Sequence, residues 1–323
     1  MELVSTARNA IPSGARPGSF TAKDGAVLRY ALWGTTATER KGTVCLFGGR
    51  TEFIEKYFET ITDLRRRGFA VATMDWRGQG GSSRPLSNPM KGHVESFAQF
   101  DGDLAQFMTQ VVLPDCPPPF FGMAHSMGGH ILLRSAQTKV CWFDRIILCA
   151  PMIELAPQST RIPALKVVSE AATLLGMGDM FVPGGRGDSW RRETFEGNAV
   201  TSDKLRFDRA RDVLDAGPWL ALGSPTIGWV AAAQKSIAEI NQLAFTDGIK
   251  VPTLILAAGN DEIVSTPAIE LFAARLKTCT RIVIAGAKHE ILQERDELRD
   301  QFWAAFDAFI PGAQGAGPRA LGL

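Results

Sequence analysis

The sequence holds only four histidines and five cysteines, and no two cysteines have C-x-x-C spacing. An odd, scattered set (Cys45, Cys116, Cys141, Cys149, Cys279) fits neither a disulfide framework nor a zinc site, so no metal is expected. Charge of one sign is also missing. With 35 Lys+Arg against 34 Asp+Glu the formal net charge is +1, which excludes a broad field that would recruit nucleic acid. Long hydrophobic runs are absent: 146–153, among the longest, is far too short to span a bilayer. Residues 1–18 lack the apolar stretch of a signal peptide and predict a flexible arm. These absences together predict a reducing, cytoplasmic setting. The G-K-[ST] ending of a phosphate loop is lacking too. The run Gly78-Gln79-Gly80-Gly81 opens no apolar helix, so no nucleotide is expected there, nor any other cofactor.

What is present is ordinary for a globular chain: 323 residues, 45% hydrophobic and 21% charged. Short β-type runs alternate with helical patterns. Strands are predicted over 19–23 and 26–33, flanking the hairpin signal Asp24-Gly25, and over 43–47, 70–74, 120–124, 145–149, 253–257 and 281–284. Helices are predicted over 53–67, 96–112, after Ser126, 267–276 and 291–309. Such alternation implies an α/β fold, a mostly parallel central sheet with helices on both faces. Residues 151–230 break the pattern with helical stretches and little strand signal. They read as an inserted helical cap over the strand ends, where open α/β sheets bind ligands. The expected organisation is a core of 19–150 and 231–310, the cap 151–230, and a flexible tail 311–323.

The sharpest local signal is Gly122-Met123-Ala124-His125-Ser126-Met127-Gly128-Gly129. An apolar strand runs into it and a helix leaves it. This is G-x-S-x-G with Ala124 in place of the first glycine. Small neighbours are needed because the serine sits on a sharp turn that lifts its hydroxyl clear of the sheet. The same turn aims the Met127 N–H, at a helix start, toward developing negative charge.

A serine hydroxyl needs a base. His125 and His130 lie too near Ser126 in sequence and read as structural, and His93 as a loop or cap contact. His289, just beyond a strand, is the candidate base. The chain order Ser…Asp/Glu…His asks for an acid between them. Asp261, after the strand 253–257 and a glycine turn, is preferred over its neighbour Glu262. The second oxyanion donor is expected from Gly48-Gly49-Arg50-Thr51, with the Arg50 N–H partnering Met127 N–H and Thr51 available as a helix cap. In the loop 75–83, an Asp75–Arg77 polar turn is expected to fix the loop beside the elbow.

With these residues in place, the chain resembles the α/β-hydrolase fold, and within it the lysophospholipase and monoacylglycerol lipase group of serine hydrolases. It is similar to bacterial lysophospholipase L2-like proteins. The resemblance rests on Gly48-Gly49-Arg50-Thr51-Glu52-Phe53-Ile54-Glu55-Lys56-Tyr57, Asp75-Trp76-Arg77-Gly78-Gln79-Gly80, Gly92-His93-Val94, the serine motif and His289-Glu290-Ile291-Leu292, spread over about residues 25–310. It implies a cap after the sixth strand and hydrolysis of a carboxylic ester of glycerol bearing one acyl chain. Where many relatives have His-Gly before the oxyanion residue, this chain has Gly48-Gly49.

The reading is a serine ester hydrolase with Ser126 as nucleophile, His289 as base, Asp261 orienting it, and Arg50 and Met127 N–H groups as oxyanion donors. The expected partner is a small-molecule lipid ester, most simply a lysophospholipid. A monoacylglycerol lipase, a general carboxylesterase and a non-catalytic receptor on the same scaffold are the alternatives. Leu174, Leu175, Met177, Met180 and Phe181 of the cap either accept an acyl chain or pack the cap onto the core. A lipid substrate is compatible with peripheral membrane contact, although no basic amphipathic helix stands out.

Overall fold

Uninterrupted apolar runs have no polar side to offer solvent, so a sheet built from them must be covered on both faces. The computed structural model, which describes residues 2–137, 141–156 and 165–312, has that architecture. Its strands are β1 (Arg16–Thr21), β2 (Val27–Trp33), β3 (Thr43–Phe47), β4 (Ala70–Met74), β5 (Phe120–His125), β6 (Arg145–Cys149), β7 (Thr253–Ala258) and β8 (Cys279–Ile284). They form one sheet in the order β1-β2-β4-β3-β5-β6-β7-β8. β2 is antiparallel to β1 and β4, and the remaining neighbours are parallel. Every residue of β3, β4 and β7 is buried. The helices Phe58–Arg66, Phe97–Phe107, Ser126–Ala136, Thr266–Arg275 and Asp296–Phe309 connect or follow these strands. Buried rings such as Phe47, Phe107, Trp76 and Phe302 fill the layers between.

Several expectations need correction. The stretch 53–67 is not one helix: a tighter turn, Ile54–Tyr57, precedes the α-helix Phe58–Arg66. Likewise 291–309 splits into a short turn, Ile291–Gln293, and the helix Asp296–Phe309. Within the expected arm 1–18, the described residues 2–18 are not free. Arg16, Pro17 and Gly18 belong to β1. Val4 N–H donates to Glu55 Oε1 at 3.0 Å, Asn9 Nδ2 donates to the Glu55 carbonyl at 2.8 Å, and Arg8 pairs with Asp212 at 2.6 Å. Fully buried Glu55, already paired with Arg29 through both oxygens, takes the Val4 N–H as a further donor and so anchors the segment. Residues 313–323 of the expected tail lie outside the described residues.

The segment between β6 and β7 contains the helices Leu165–Ala172, Ser189–Arg192, Lys204–Ala216 and Ile227–Ile240. The expected boundary at 230 falls inside the last of these, which continues unbroken and buries Trp229, Val230, Ala233 and Ile237. Leu174 and Leu175 do not pack onto the core: they are 88% and 76% exposed. Other parts of the segment are tied down. Arg206 reaches Glu59 at 2.7 Å and Asp296 at 2.6 Å, and Arg209 reaches Glu59 at 2.7 Å. These pairs, joined by Arg299 on Glu59 at 3.1 Å, hold the Glu59 carboxyl below its usual range although burial opposes the charge.

Candidate active site

Three loops at the C-terminal edge of the sheet meet here, as expected where ligands bind open α/β sheets. β5 ends at His125, and Ser126 turns the chain into the following helix with φ of 51°. That left-handed conformation is costly for a residue with a Cβ, on the order of 1–3 kcal/mol, and persists where the surroundings impose it. The surroundings explain the small neighbours. A Cβ at Gly128 would stand 2.5 Å from the Gly48 carbonyl oxygen, and one at Gly49 would stand 2.9 Å from Ser126 Cβ.

The structure brings three of the sequence candidates together. Ser126 Oγ lies 2.9 Å from His289 Nε2, and His289 Nδ1 lies 2.7 Å from Asp261 Oδ2. The carboxylate acceptor fixes the proton on Nδ1 and leaves Nε2 free to accept from the serine hydroxyl. Asp261 Oδ1 accepts the N–H groups of Ile263 and Val264 at 2.8 and 2.9 Å. Burial works against the charged Asp261, but the His289 bond and these two N–H donors hold its carboxyl below the usual range. The rival Glu262 is exposed. Of the remaining histidines, His130 is buried between the Met152 carbonyl (2.7 Å) and Ser236 Oγ (2.6 Å), and burial pushes it down to about 3. His93 Nδ1 meets Thr226 Oγ1 at 2.8 Å, at the start of the helix Ile227–Ile240.

Opposite Ser126 stands the loop after β3. Met127 N–H lies in the first turn of its helix, where no intrahelical acceptor exists. Arg50 N–H makes no hydrogen bond among the described residues. Thr51 is not a helix cap. It adopts φ of 68° and donates its hydroxyl to the Arg50 carbonyl, and the next turn begins only at Ile54. The loop is fixed instead from the 75–83 segment. Gln79 Nε2 donates to the carbonyls of Gly49 (2.7 Å) and Glu52 (3.1 Å), and Trp76 Nε1 donates to that of Gly48 (2.9 Å). The expected Asp75–Arg77 turn is not formed. Asp75 pairs with buried Arg29 at 2.6 Å, and Arg77 with Asp24 and Asp103, both at 2.6 Å. Gly80 is required because a Cβ there would lie 2.2 Å from the Asp75 carboxyl carbon.

Sequence reasoning missed the group beneath the site. Glu52 is buried and its Oε2 accepts from Gly49 N–H, from Tyr57 O–H at 2.5 Å and from His125 Nδ1 at 3.0 Å. His125 Nε2 faces the His289 carbonyl at 3.1 Å. Both ring nitrogens therefore face acceptors, and the ring that satisfies both is the imidazolium. Burial disfavours that charge, but the adjacent Glu52 carboxylate outweighs it and raises the His125 pKa. Lys56 bridges Glu52 (3.2 Å) and Glu290 (2.5 Å). Lys56, with a carboxylate on either side, thus ties the loop after β3 to the His289 loop. The cap segment grips that same loop from outside: Glu290 N–H donates to the Val200 carbonyl at 2.8 Å, and Thr201 Oγ1 to that of Gln293 at 2.7 Å. The adjacent glutamates and basic residue of Glu52…Lys56 were visible in the sequence, but their partners are set only by tertiary contact.

Glu52→Gln is expected to lower kcat/KM about 10²-fold, the scale of a misplaced reacting group. Glutamine does not balance the imidazolium, and with its oxygen kept for the three donors its amide NH₂ faces the Lys56 ammonium in place of Oε1. Steady-state kinetics on a soluble ester check this, and an unchanged kcat/KM would show that the two loops are held without Glu52.

The chain was compared with known proteins. The sequence profile of a family described as serine aminopeptidase, S33, matches residues 38–296. Lysophospholipase L2 of Escherichia coli (strain K12) is 33% identical over 291 residues, which is 87% of this chain and 83% of that protein. Monoglyceride lipase of Rattus norvegicus is 25% identical over 301 residues, 90% of this chain and 91% of its own length. Among solved structures, a soluble variant of monoglyceride lipase from Saccharomyces cerevisiae in complex with a substrate analogue matches with a TM-score of 0.72 at 20% identity, covering 92% of this chain and 94% of the other.

Proposed function

The chain belongs to the serine aminopeptidase S33 family and has the α/β-hydrolase fold, and from that premise we propose that Ser126, His289 and Asp261 hydrolyse single-acyl glycerophospholipids. It is a carboxylic ester hydrolase of the lysophospholipase and lipase type. The observation that carries the residue assignment is the continuous hydrogen-bonded line from Ser126 Oγ through His289 to Asp261, at 2.9 and 2.7 Å.

Ser126 Oγ attacks the acyl carbonyl while His289 Nε2 takes its proton. The carbonyl oxygen, now negative, sits between the N–H groups of Arg50 and Met127. Collapse of the tetrahedral intermediate expels the glycerol oxygen, protonated by His289. A water molecule, activated by the same imidazole, then releases the fatty acid from the serine. The 33% identity to a lysophospholipase supports a phospholipid substrate over a neutral glyceride. The solvent-facing Val167, Val168, Leu174 and Leu175 of the cap support contact with a lipid surface. Among the described residues no helix is long and apolar enough to cross a membrane.

A fluorophosphonate probe is expected to label Ser126. A panel of a lysophospholipid, a monoacylglycerol, a short p-nitrophenyl ester and an aminoacyl amide is expected to rank the lysophospholipid first by kcat/KM. Turnover of the amide without turnover of the lipid esters would overturn the reading.

A further inference from the structure

Cations buried in this protein are generally matched by carboxylates. Arg29 has Glu55 and Asp75, Arg206 has Glu59 and Asp203, and Lys56 has Glu52 and Glu290. Arg84 has no carboxylate but is satisfied by carbonyl oxygens, including those of Gly78, Gly80 and Pro89. Arg50 is different. Its side chain makes a single hydrogen bond among the described residues, from Nη2 to the Gly223 carbonyl at 2.7 Å. Its guanidinium lies 5.2 Å from the centroid of the Trp229 ring. Its Nε–H is buried and has no acceptor. No carboxylate stands within ion-pair distance of it among the described residues. Burial alone, unopposed, pulls its pKa down to about 10, so at neutral pH the charge remains.

Withdrawing a cation even partly from water without a counter-charge costs free energy that one carbonyl does not return in full. The surrounding chain is nonetheless shaped to keep it. Gly92 has no Cβ where one would stand 2.5 Å from Arg50 Nη2. The loop around Gly223 turns a carbonyl toward it, and Trp229 offers its ring. The next residue along the chain, Thr51, lines a cavity of about 170 Å³ together with Leu222 and the cap residues Trp190 and Glu193.

We propose that the Arg50 side chain recognises the phosphodiester of a single-acyl glycerophospholipid, so that one residue addresses both ends of the glycerol unit. Its backbone N–H meets the ester carbonyl oxygen, and its guanidinium meets the phosphate a few bonds further along the same substrate. Guanidinium suits this task because its planar, permanently charged fork matches phosphate oxygens. The missing counter-charge is then supplied by the substrate. A monoacylglycerol carries no charge there and leaves the guanidinium uncompensated. The inference rests on the ester-hydrolase reading above and adds to it the group that separates a phospholipid from a neutral glyceride.

The test is a ratio, which cancels the oxyanion contribution common to both substrates. A lysophosphatidylethanolamine and a monoacylglycerol with the same acyl chain are assayed in detergent with the full chain and with Arg50→Met. The ratio of kcat/KM, phospholipid over glyceride, is expected to fall roughly tenfold to hundredfold, the scale of a charge-assisted hydrogen bond. Arg50→Lys, which keeps the charge but loses the fork, is expected to fall in between. The same ratio in all three proteins overturns the proposal. On the unmodified protein, glycerol 3-phosphate is expected to inhibit competitively at concentrations where glycerol does not, and equal inhibition by the two overturns it as well. Wild-type turnover of the glyceride with none of the phospholipid would instead overturn the reading on which the proposal rests.

Discussion

Ser126→Ala is expected to lower kcat on a single-acyl ester by about 10⁶-fold, and adding His289→Ala is expected to lower it no further. The reason is geometric. His289 Nε2 first takes the proton of Ser126 Oγ at 2.9 Å, and its later transfers to the glycerol oxygen and from water follow only once the serine has attacked. Without the hydroxyl there is nothing for the imidazole to activate, so the two losses do not add. The Arg50 and Met127 N–H groups belong to the backbone and survive both substitutions. They should leave a residual rate about 10³-fold to 10⁴-fold above that in water. Single-turnover assays on both variants check this. A double variant markedly slower than Ser126→Ala alone would show that His289 acts on substrate by a route other than Ser126.

How much of this was legible beforehand depended on the range of the forces involved. β3, β4 and β6 could be read to the residue because each is a short apolar run closed by turns, with hydrophobicity alone setting its bounds. β8 begins at Cys279, two residues before the expected start, because it is an edge strand whose half-exposed residues carry no apolar signature. The serine elbow was legible since its requirements, a strand, small neighbours and a helix start, are all local. Asp261 and His289 followed from chain order and strand ends.

The support beneath them was not legible. Glu52 reaches His125 across 73 positions of sequence and Lys56 reaches Glu290 across 234, so no spacing rule connects them. Ile263 and Val264 are plain apolar residues, yet their N–H groups orient the Asp261 carboxylate. Backbone donors leave no mark on side-chain type. The cap was recognisable as a break in alternation. That its residues Val200 and Thr201 clamp the His289 loop depends on bonds to the Glu290 N–H and the Gln293 carbonyl that no local pattern encodes. The chemistry was therefore visible where a single turn sets it, and hidden where several loops converge to hold that turn.

Those same backbone donors make Asp261→Asn the most informative conservative change. A kcat loss of about 10⁴-fold is expected, with little change in shape or volume. In the native protein the two carboxylate oxygens have separate duties: Oδ2 accepts His289 Nδ1–H at 2.7 Å, and Oδ1 accepts Ile263 and Val264 N–H. An asparagine has only one acceptor oxygen. The two fixed N–H groups claim it, because turning the amide NH₂ toward them would set donor against donor. The NH₂ then faces His289 Nδ1, which must accept, and the ring proton moves to Nε2. An imidazole protonated at Nε2 has no lone pair for the Ser126 hydroxyl, so the base is lost while every atom stays near its place. Glu262→Gln, one position along on an exposed side chain, is expected to keep near-native activity and serves as the control. The measurement is kcat for both variants on the same ester. An Asp261→Asn protein within tenfold of native would show that His289 keeps its tautomer without the carboxylate, and the acid would have to be sought elsewhere.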